Sequence, residues 1–183
     1  MSTETVFYKS PVGILELTGD ADYLASVYFV STEKNGVKET ALKNSPEPGS
    51  PVLQETVKQL DEYFAGKRME FELPLKQNGT PFQQKVWEGL RDIKAGNNIS
   101  YLTFSKRLGD VKAIRAVGTA NGKNNISIIV PCHRVIGSNG SLVGYGGDLW
   151  RKKWLLEHEA KYSNAAGSLF DQQQMPLSSF NNL

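Results

Sequence analysis

The chain has 183 residues, 39% of them hydrophobic and 22% charged, with a formal net charge of +2. That suffices for one domain or two small ones, and no apolar run reaches the ~18 residues of a membrane span. A single cysteine and two histidines exclude an internal disulfide and cysteine-rich zinc sites and argue against any metal cage.

The first third reads as strands. Thr5–Tyr8, Ile14–Leu17 and Leu24–Val30 are rich in Val, Tyr, Phe and Leu, with Pro11, Gly13, Gly19 and Asp20 as turn residues between them. Ser31–Ser50 is polar and reads as a loop. Ser50-Pro51 then caps a helix whose apolar positions are Leu53, Val57, Leu60 and Phe64, with Gly66 as its stop. Phe71–Leu73 is a candidate short strand, and Leu75–Gly79 a linker. Thr80-Pro81 opens a second helix, with Phe82, Val86, Leu90 and Ile93 as its expected buried face and Gly96 beyond its end. Ser100 caps a short helix over Tyr101–Leu108. Gly109-Asp110 turns the chain into another helix from Val111 to about Asn121, and the pair suggests a helix-turn-helix. Ser127–Val130 is a short β-run. Asn139-Gly140 marks a hairpin turn from which Leu142–Tyr145 could pair back. A last helix covers about Leu149–Glu159. From Ser163 the chain is rich in Ser, Asn and Gln and is expected to be disordered.

The fold class predicted is α/β (α+β). A small N-terminal β-sheet and helix domain spans 1–75. A C-terminal helical domain with a winged-helix-like helix-turn-helix spans 80–162, and a tail spans 163–183. The charge is split to match. Residues 1–75 hold seven basic against twelve acidic side chains, whereas residues 76–162 hold fourteen against six. A basic half is what nucleic-acid binding requires, with chance surface variation as the alternative. The N-terminal MSTETVFYKS lacks a signal-peptide pattern, so a cytoplasmic location is expected.

Reactive groups concentrate in Val130-Pro131-Cys132-His133-Arg134. A thiol is a good nucleophile only as thiolate, which a neighbouring base or cation promotes. Neighbours on a strand point to opposite faces, so Cys132 and His133 cooperate only if the chain turns there. Pro131 permits such a break. On these residues alone a buried structural cysteine stays open. In the last helix His158 has the ordinary role of meeting the final carbonyls, and a nearby glutamate could orient a distant histidine. Ala113, Ala116 and Ala120 share a helical face around Arg115. Such a face fits helix packing, or close approach to DNA with one arginine probing the base stack.

Several segments, in order, resemble the methylated-DNA–protein-cysteine methyltransferases (O6-alkylguanine-DNA alkyltransferases). They are Pro81-Phe82-Gln83-Gln84-Lys85-Val86-Trp87, Ser100-Tyr101, Arg115-Ala116-Val117-Gly118, the signature Ile128–Gly137, Gly144-Tyr145 and Trp154–Glu159. Residues 1–75 resemble the family's variable, RNase H-like N-terminal domain more loosely. The resemblance implies a single-turnover enzyme acting on double-stranded DNA that contains O6-alkylguanine, with O4-alkylthymine a second candidate substrate. It implies a monomer with no cofactor, no metal and no membrane partner. Cys132 would accept the alkyl group, His133 would take its proton through a water, and Glu159 would hold His133. Asn124 would tie the recognition helix to the active-site loop. Tyr101 would contact the flipped nucleotide and is a candidate proton donor. Arg115 would fill the gap left in the duplex, while Ala113, Ala116 and Gly118 let the helix approach and Ser100 lies at the DNA surface. Pro131, Val135, Tyr145 and Gly146 would line the substrate pocket, with the Cys132 and Val135 carbonyls reading the guanine amine. Lys94, Asn125 and Asp148 depart from the family pattern, which commonly has proline, proline and glycine there.

Overall fold

The computed structural model describes residues 2–30, 45 and 47–163. Most of the expected 31–50 loop, and the expected tail beyond Ser163, lie outside the described residues. The chain forms two compact units. One runs to Gln77 and takes in Asn125–Ile129; the other holds Asn78–Asn124 and the chain from Val130 onward. The Asn125–Ile129 excursion is a feature that the contiguous boundaries 1–75 and 80–162 do not contain.

In the first unit β1 (Glu4–Ser10), β2 (Gly13–Gly19) and β3 (Leu24–Phe29) form an antiparallel meander in the order β1-β2-β3. Val6, Leu17 and Val27 stand opposite one another across the three strands and are all buried. Helix α1 (Pro51–Phe64) contributes Leu53, Leu60 and Tyr63 to the same core. Its start is doubly secured. Ser50 Oγ accepts from Leu53 N, and the Glu4 carboxylate accepts from Gly49 N and Ser50 N. Gly66, at φ 73°, follows its end as expected.

Phe71–Leu73 is not a strand. The Gln59 side chain takes the place of a ladder partner there, donating to Glu72 O and accepting from Glu72 N. Only Leu75 forms a single parallel bridge, to Leu24. Ser127–Val130 is not a strand either. Ile126 bridges Val27, and Ile128 then turns the backbone to φ 72°. A β-branched residue in that region is strained, and the surrounding structure must hold it there. Asn125, where proline is common in the family, supplies part of that hold. Its side chain donates to Ala25 O and accepts from Gln77 Nε2, both at 2.8 Å.

In the second unit Thr80 and Gln83 form a reciprocal cap for α2 (Pro81–Arg91). Val86, Leu90 and Ile93 are buried as expected, but Phe82 is 38% exposed. The buried stripe turns instead toward Trp87, roughly 140° round the helix from Phe82. Trp87 donates its indole N–H to Ala120 O at 2.9 Å. Strand β4 (Ile99–Ser100) leads into α3 (Tyr101–Arg107), capped by Ser100. Gly109 turns at φ 94°, and Asp110 caps a single 3-10 turn, Val111–Ala113. Helix α4 (Ile114–Gly122) begins only after that turn, three residues later than expected. Ala120 is buried, so the alanine face divides: Ala120 packs inward while Ala116 is exposed.

Cys132–Arg134 forms a second 3-10 turn, followed by β5 (Val135–Ile136), which pairs in parallel with β4. The turn near Asn139 is closed by Gly137 N donating to Ser141 O. Leu142–Tyr145 does not pair back as a strand, because a lysine side chain, Lys152, takes the carbonyls of Val135 and Val143. Helix α5 (Leu149–Tyr162) completes the unit. No helix of the described residues is long and apolar enough to cross a membrane.

Candidate functional site

The 3-10 turn removes the geometric objection to cooperation between Cys132 and His133, since successive side chains no longer alternate across a strand. Arg134 N donates to Pro131 O and Val135 N to Cys132 O, which fixes the turn. Pro131, Cys132, His133, Arg134 and Val135 are all buried. Asn124 donates from Nδ2 to Cys132 Sγ at 3.1 Å and to Val130 O at 2.8 Å. It thus joins the end of α4 to the segment that carries the thiol. Burial pushes the Cys132 thiol up, while the Asn124 hydrogen bond and then the Lys152 charge pull it down.

Behind the thiol, His133 Nε2 lies 2.8 Å from Glu159 Oε1, with both side chains fully buried. A carboxylate only accepts, so Nε2 carries the hydrogen and Nδ1 presents its lone pair. Nδ1 has no hydrogen-bond partner among the described residues. Burial lowers His133, and Glu159 opposes that shift. Burial alone would raise Glu159, but Arg134 and then His133 hold it well below the usual carboxylate range. The resting pair is therefore a neutral thiol and a neutral imidazole.

Tyr101, at the start of α3, is raised to about 12 by burial against the opposing hydrogen bond from Asn121. It is closely flanked. A Cβ on Gly118 would lie 3.8 Å from Tyr101 Cε1, and a Cβ on Gly144 would lie 3.4 Å from its hydroxyl. Tyr145 is half-buried, with its hydroxyl raised by burial and then by the Cys132 charge. Gly146 is exposed, and a Cβ there would meet nothing within 4 Å. Ser100 serves as a helix cap. On α4, Arg115 and Ala116 face outward and Gly118 is half-buried, as is Ala113 in the 3-10 turn before it.

The structure thus brings Cys132, Asn124 and Tyr101 together, and joins His133 to Glu159. It keeps Arg115 and Ala116 on an outer helical face. Sequence reasoning missed three residues. Lys152 is fully buried, donates to Val135 O at 2.7 Å and Val143 O at 2.8 Å, and is lowered to about 8 by burial. Its spacing from Leu155, Leu156 and Glu159 on one helical face was the available signal. Asn121 donates to both Tyr101 and the Cys132 carbonyl. Gly144 adopts φ 58° beside the Tyr101 hydroxyl.

A helix-turn-helix unit that carries a buried thiol, with a buried histidine–carboxylate pair one residue on, places the chain in the class of DNA-binding proteins with a cysteine site. The comparisons agree. Residues 81–161 match the DNA binding domain of 6-O-methylguanine DNA methyltransferase, and residues 5–77 match its ribonuclease-like domain. The constitutive methylated-DNA–protein-cysteine methyltransferase of Bacillus subtilis is 45% identical over 76% of this chain and 84% of its own length. The Mycobacterium bovis protein of the same name is 43% identical over 88% of this chain and 95% of its own length. The crystal structure of the Mycobacterium tuberculosis O6-methylguanine methyltransferase superposes with a TM-score of 0.76 at 41% identity, covering 93% of this chain and 100% of that one. A structure of Mycobacterium tuberculosis OGT in complex with DNA gives 0.73 at 42% identity, covering 92% and 99%. The chain belongs to the methylated-DNA–protein-cysteine methyltransferase family.

Proposed function

We propose that this protein repairs double-stranded DNA by moving the alkyl group of O6-alkylguanine onto Cys132, once per molecule. The observation that carries the reading is the sole thiol of the chain, held by Asn124 in a turn beside the His133–Glu159 pair. The damaged nucleotide must leave the stack to reach a buried thiol, at a cost of a few kcal/mol. The Cys132 proton passes to His133 Nδ1 through a water. Sulfur attacks the alkyl carbon as the carbon–O6 bond breaks, and the electron pair stays on guanine. A proton donated to the guanine ring eases its departure, and Tyr101 is the donor. Glu159 stabilises the imidazolium.

Cys132 O and Val135 O already accept from Val135 N and Lys152 Nζ. Val135 O keeps a second lone pair for the guanine amine, whereas Cys132 O, which also accepts from Asn121 Nδ2 at 3.3 Å, takes the amine by sharing a lone pair with that long contact. Pro131, Val135, Tyr145 and Gly146 line the pocket. The protein acts as a monomer without metal or cofactor, in the cytoplasm, where a lone thiol stays reduced.

The test is mass spectrometry after incubation with a duplex containing O6-methylguanine. The expected product is one methyl group per chain, located on Cys132, with Cys132→Ser binding the duplex but acquiring nothing. Sustained turnover would overturn the reading.

A further inference from the structure

Asn121 has an unusual balance of partners. It is 1% exposed at the end of α4. Its Nδ2 lies 2.9 Å from the Tyr101 hydroxyl and 3.3 Å from the Cys132 carbonyl. Its Oδ1 is buried with no hydrogen-bond partner among the described residues. Rotating the amide would set its oxygen against the Cys132 carbonyl, which can only accept. The amide is therefore fixed with its donors toward the site. A buried carbonyl left unsatisfied is costly and calls for an explanation.

We propose that Asn121 is a positioning residue for alkyl transfer, one that donates to the Tyr101 oxygen and so directs the Tyr101 hydrogen toward the departing guanine. A phenol that accepts from Asn121 is free to give away its own proton. When it does, the oxygen becomes a phenolate, and the Asn121 N–H strengthens as a charge-assisted donor. Cys132 loses its proton to His133, sulfur gains the alkyl group, and guanine keeps the electron pair of the broken bond and receives the Tyr101 proton. The phenolate and the His133 imidazolium then neutralise through solvent. The same Nδ2 also reaches the carbonyl of the reacting cysteine, so one amide registers the proton donor against the nucleophile's own backbone. The shorter contact is to Tyr101, and the effect on rate runs through it.

The inference rests on the proposed alkyl transfer to Cys132 with Tyr101 as donor. Its test is a double-mutant cycle on single-turnover methyl transfer from an O6-methylguanine duplex at saturating protein. Asn121→Leu is expected to slow transfer about tenfold, the scale of one hydrogen bond. In the Tyr101→Phe background the same substitution is expected to change the rate less than twofold. Asn121→Asp offers the phenol an acceptor, captures its hydrogen, and is expected to react as slowly as Tyr101→Phe. Equal losses from Asn121→Leu in both backgrounds would mean that Asn121 only braces the unit, and would overturn the proposal. So would wild-type rates for Asn121→Asp or for Tyr101→Phe. Mass spectrometry of each product separates these failures from that of the reaction itself. Methyl on Cys132 leaves the transfer standing, and its absence from the wild-type protein refutes the transfer and the positioning together.

Discussion

Arg134 meets Glu159 as a two-point ion pair, with Nε donating to Oε2 and Nη2 to Oε1, each at 2.9 Å. Its third arm donates to Ile93 O. Because Oε1 also accepts from His133, the carboxylate is shared between a permanent cation and a buried imidazole. The charges acting on His133 are Glu159, Arg134 and Lys152, with Cys132 adjacent in the chain. Arg134 and Lys152 both favour the neutral ring, and Glu159 opposes them. Arg134→Met should therefore raise His133 and move the acid limb of the transfer rate to higher pH. It should also cost about 3–5 kcal/mol, because Glu159 is left as a buried charge with less compensation. Arg134→Lys should keep more of the wild-type profile. Single-turnover rates across pH make the comparison, and an unmoved acid limb would reduce Arg134 to a brace.

Glu159 itself predicts an acid sensitivity. Its folded value lies below the unfolded one of about 4.3. The stability it contributes is thus complete above that pH and lost as pH falls toward the folded value. Wild-type protein should lose stability below about pH 4.3 more steeply than Glu159→Gln, as read from urea midpoints. Parallel pH curves would contradict this.

Lys152 has the same sign of pH dependence, in an alkaline window. Burial lowers it to about 8, so the folded chain releases this proton before the unfolded chain does. Folding stability from this group should rise between pH 8 and an unfolded value of about 10.4. Lys152→Met should abolish that rise and leave the Val135 and Val143 carbonyls without their donor. Denaturation midpoints for both proteins over that range decide it. An equal slope in the two would place the titration elsewhere.

Asp148 stands at φ 69°, ψ 148°, a conformation suited to glycine, which is what the family pattern commonly has there. The strain is about 1–3 kcal/mol, against about 0.5–1 kcal/mol for glycine's greater chain entropy. The Arg151 ion pair is exposed at its Asp148 end and offsets little. Asp148→Gly should raise the urea midpoint. A fall would mean that the ion pair outweighs the strain.

Much of this was legible beforehand. Capping residues Ser50, Thr80, Ser100 and Asp110 announced their helices because each needs a local acceptor for free N–H groups. The expected strands at 71–73, 127–130 and 142–145 failed for one shared reason. Their backbone groups are satisfied by distant side chains or by single bridges, which local β-propensity does not register. Gln59 serves Glu72, Asn124 serves Val130 O and Lys152 serves Val143 O, while Ile126 forms the single bridge beside 127–130. Phe82 misled because helical spacing identifies a stripe without fixing its edge. Cys132 and His133 were visible as neighbours, but the 3-10 turn that carries them depends on Asn124 after α4 and Glu159 on α5 rather than on their own spacing.

Arg115 stands exposed on the outward face of α4, beside exposed Ala116 and half-buried Gly118. Small neighbours would let that helix approach a duplex closely, with the arginine within reach of the base stack. If Arg115 occupies the space left by the rotated guanine, it holds the extrahelical state by filling the gap and by its charge. Arg115→Ala should then slow repair in duplex DNA far more than transfer from free O6-benzylguanine, which needs no rotation. Setting the lesion opposite a poor pairing partner should restore part of the duplex rate, because less unpairing energy is required. A phosphate contact would behave otherwise. It would weaken binding to all duplexes alike and lower the salt dependence by about one charge. Single-turnover rates at saturating protein, with paired duplex, mispaired duplex and free base, distinguish these outcomes. Equal slowing on all three would make Arg115 a support of the thiol site and end its assignment to the duplex gap.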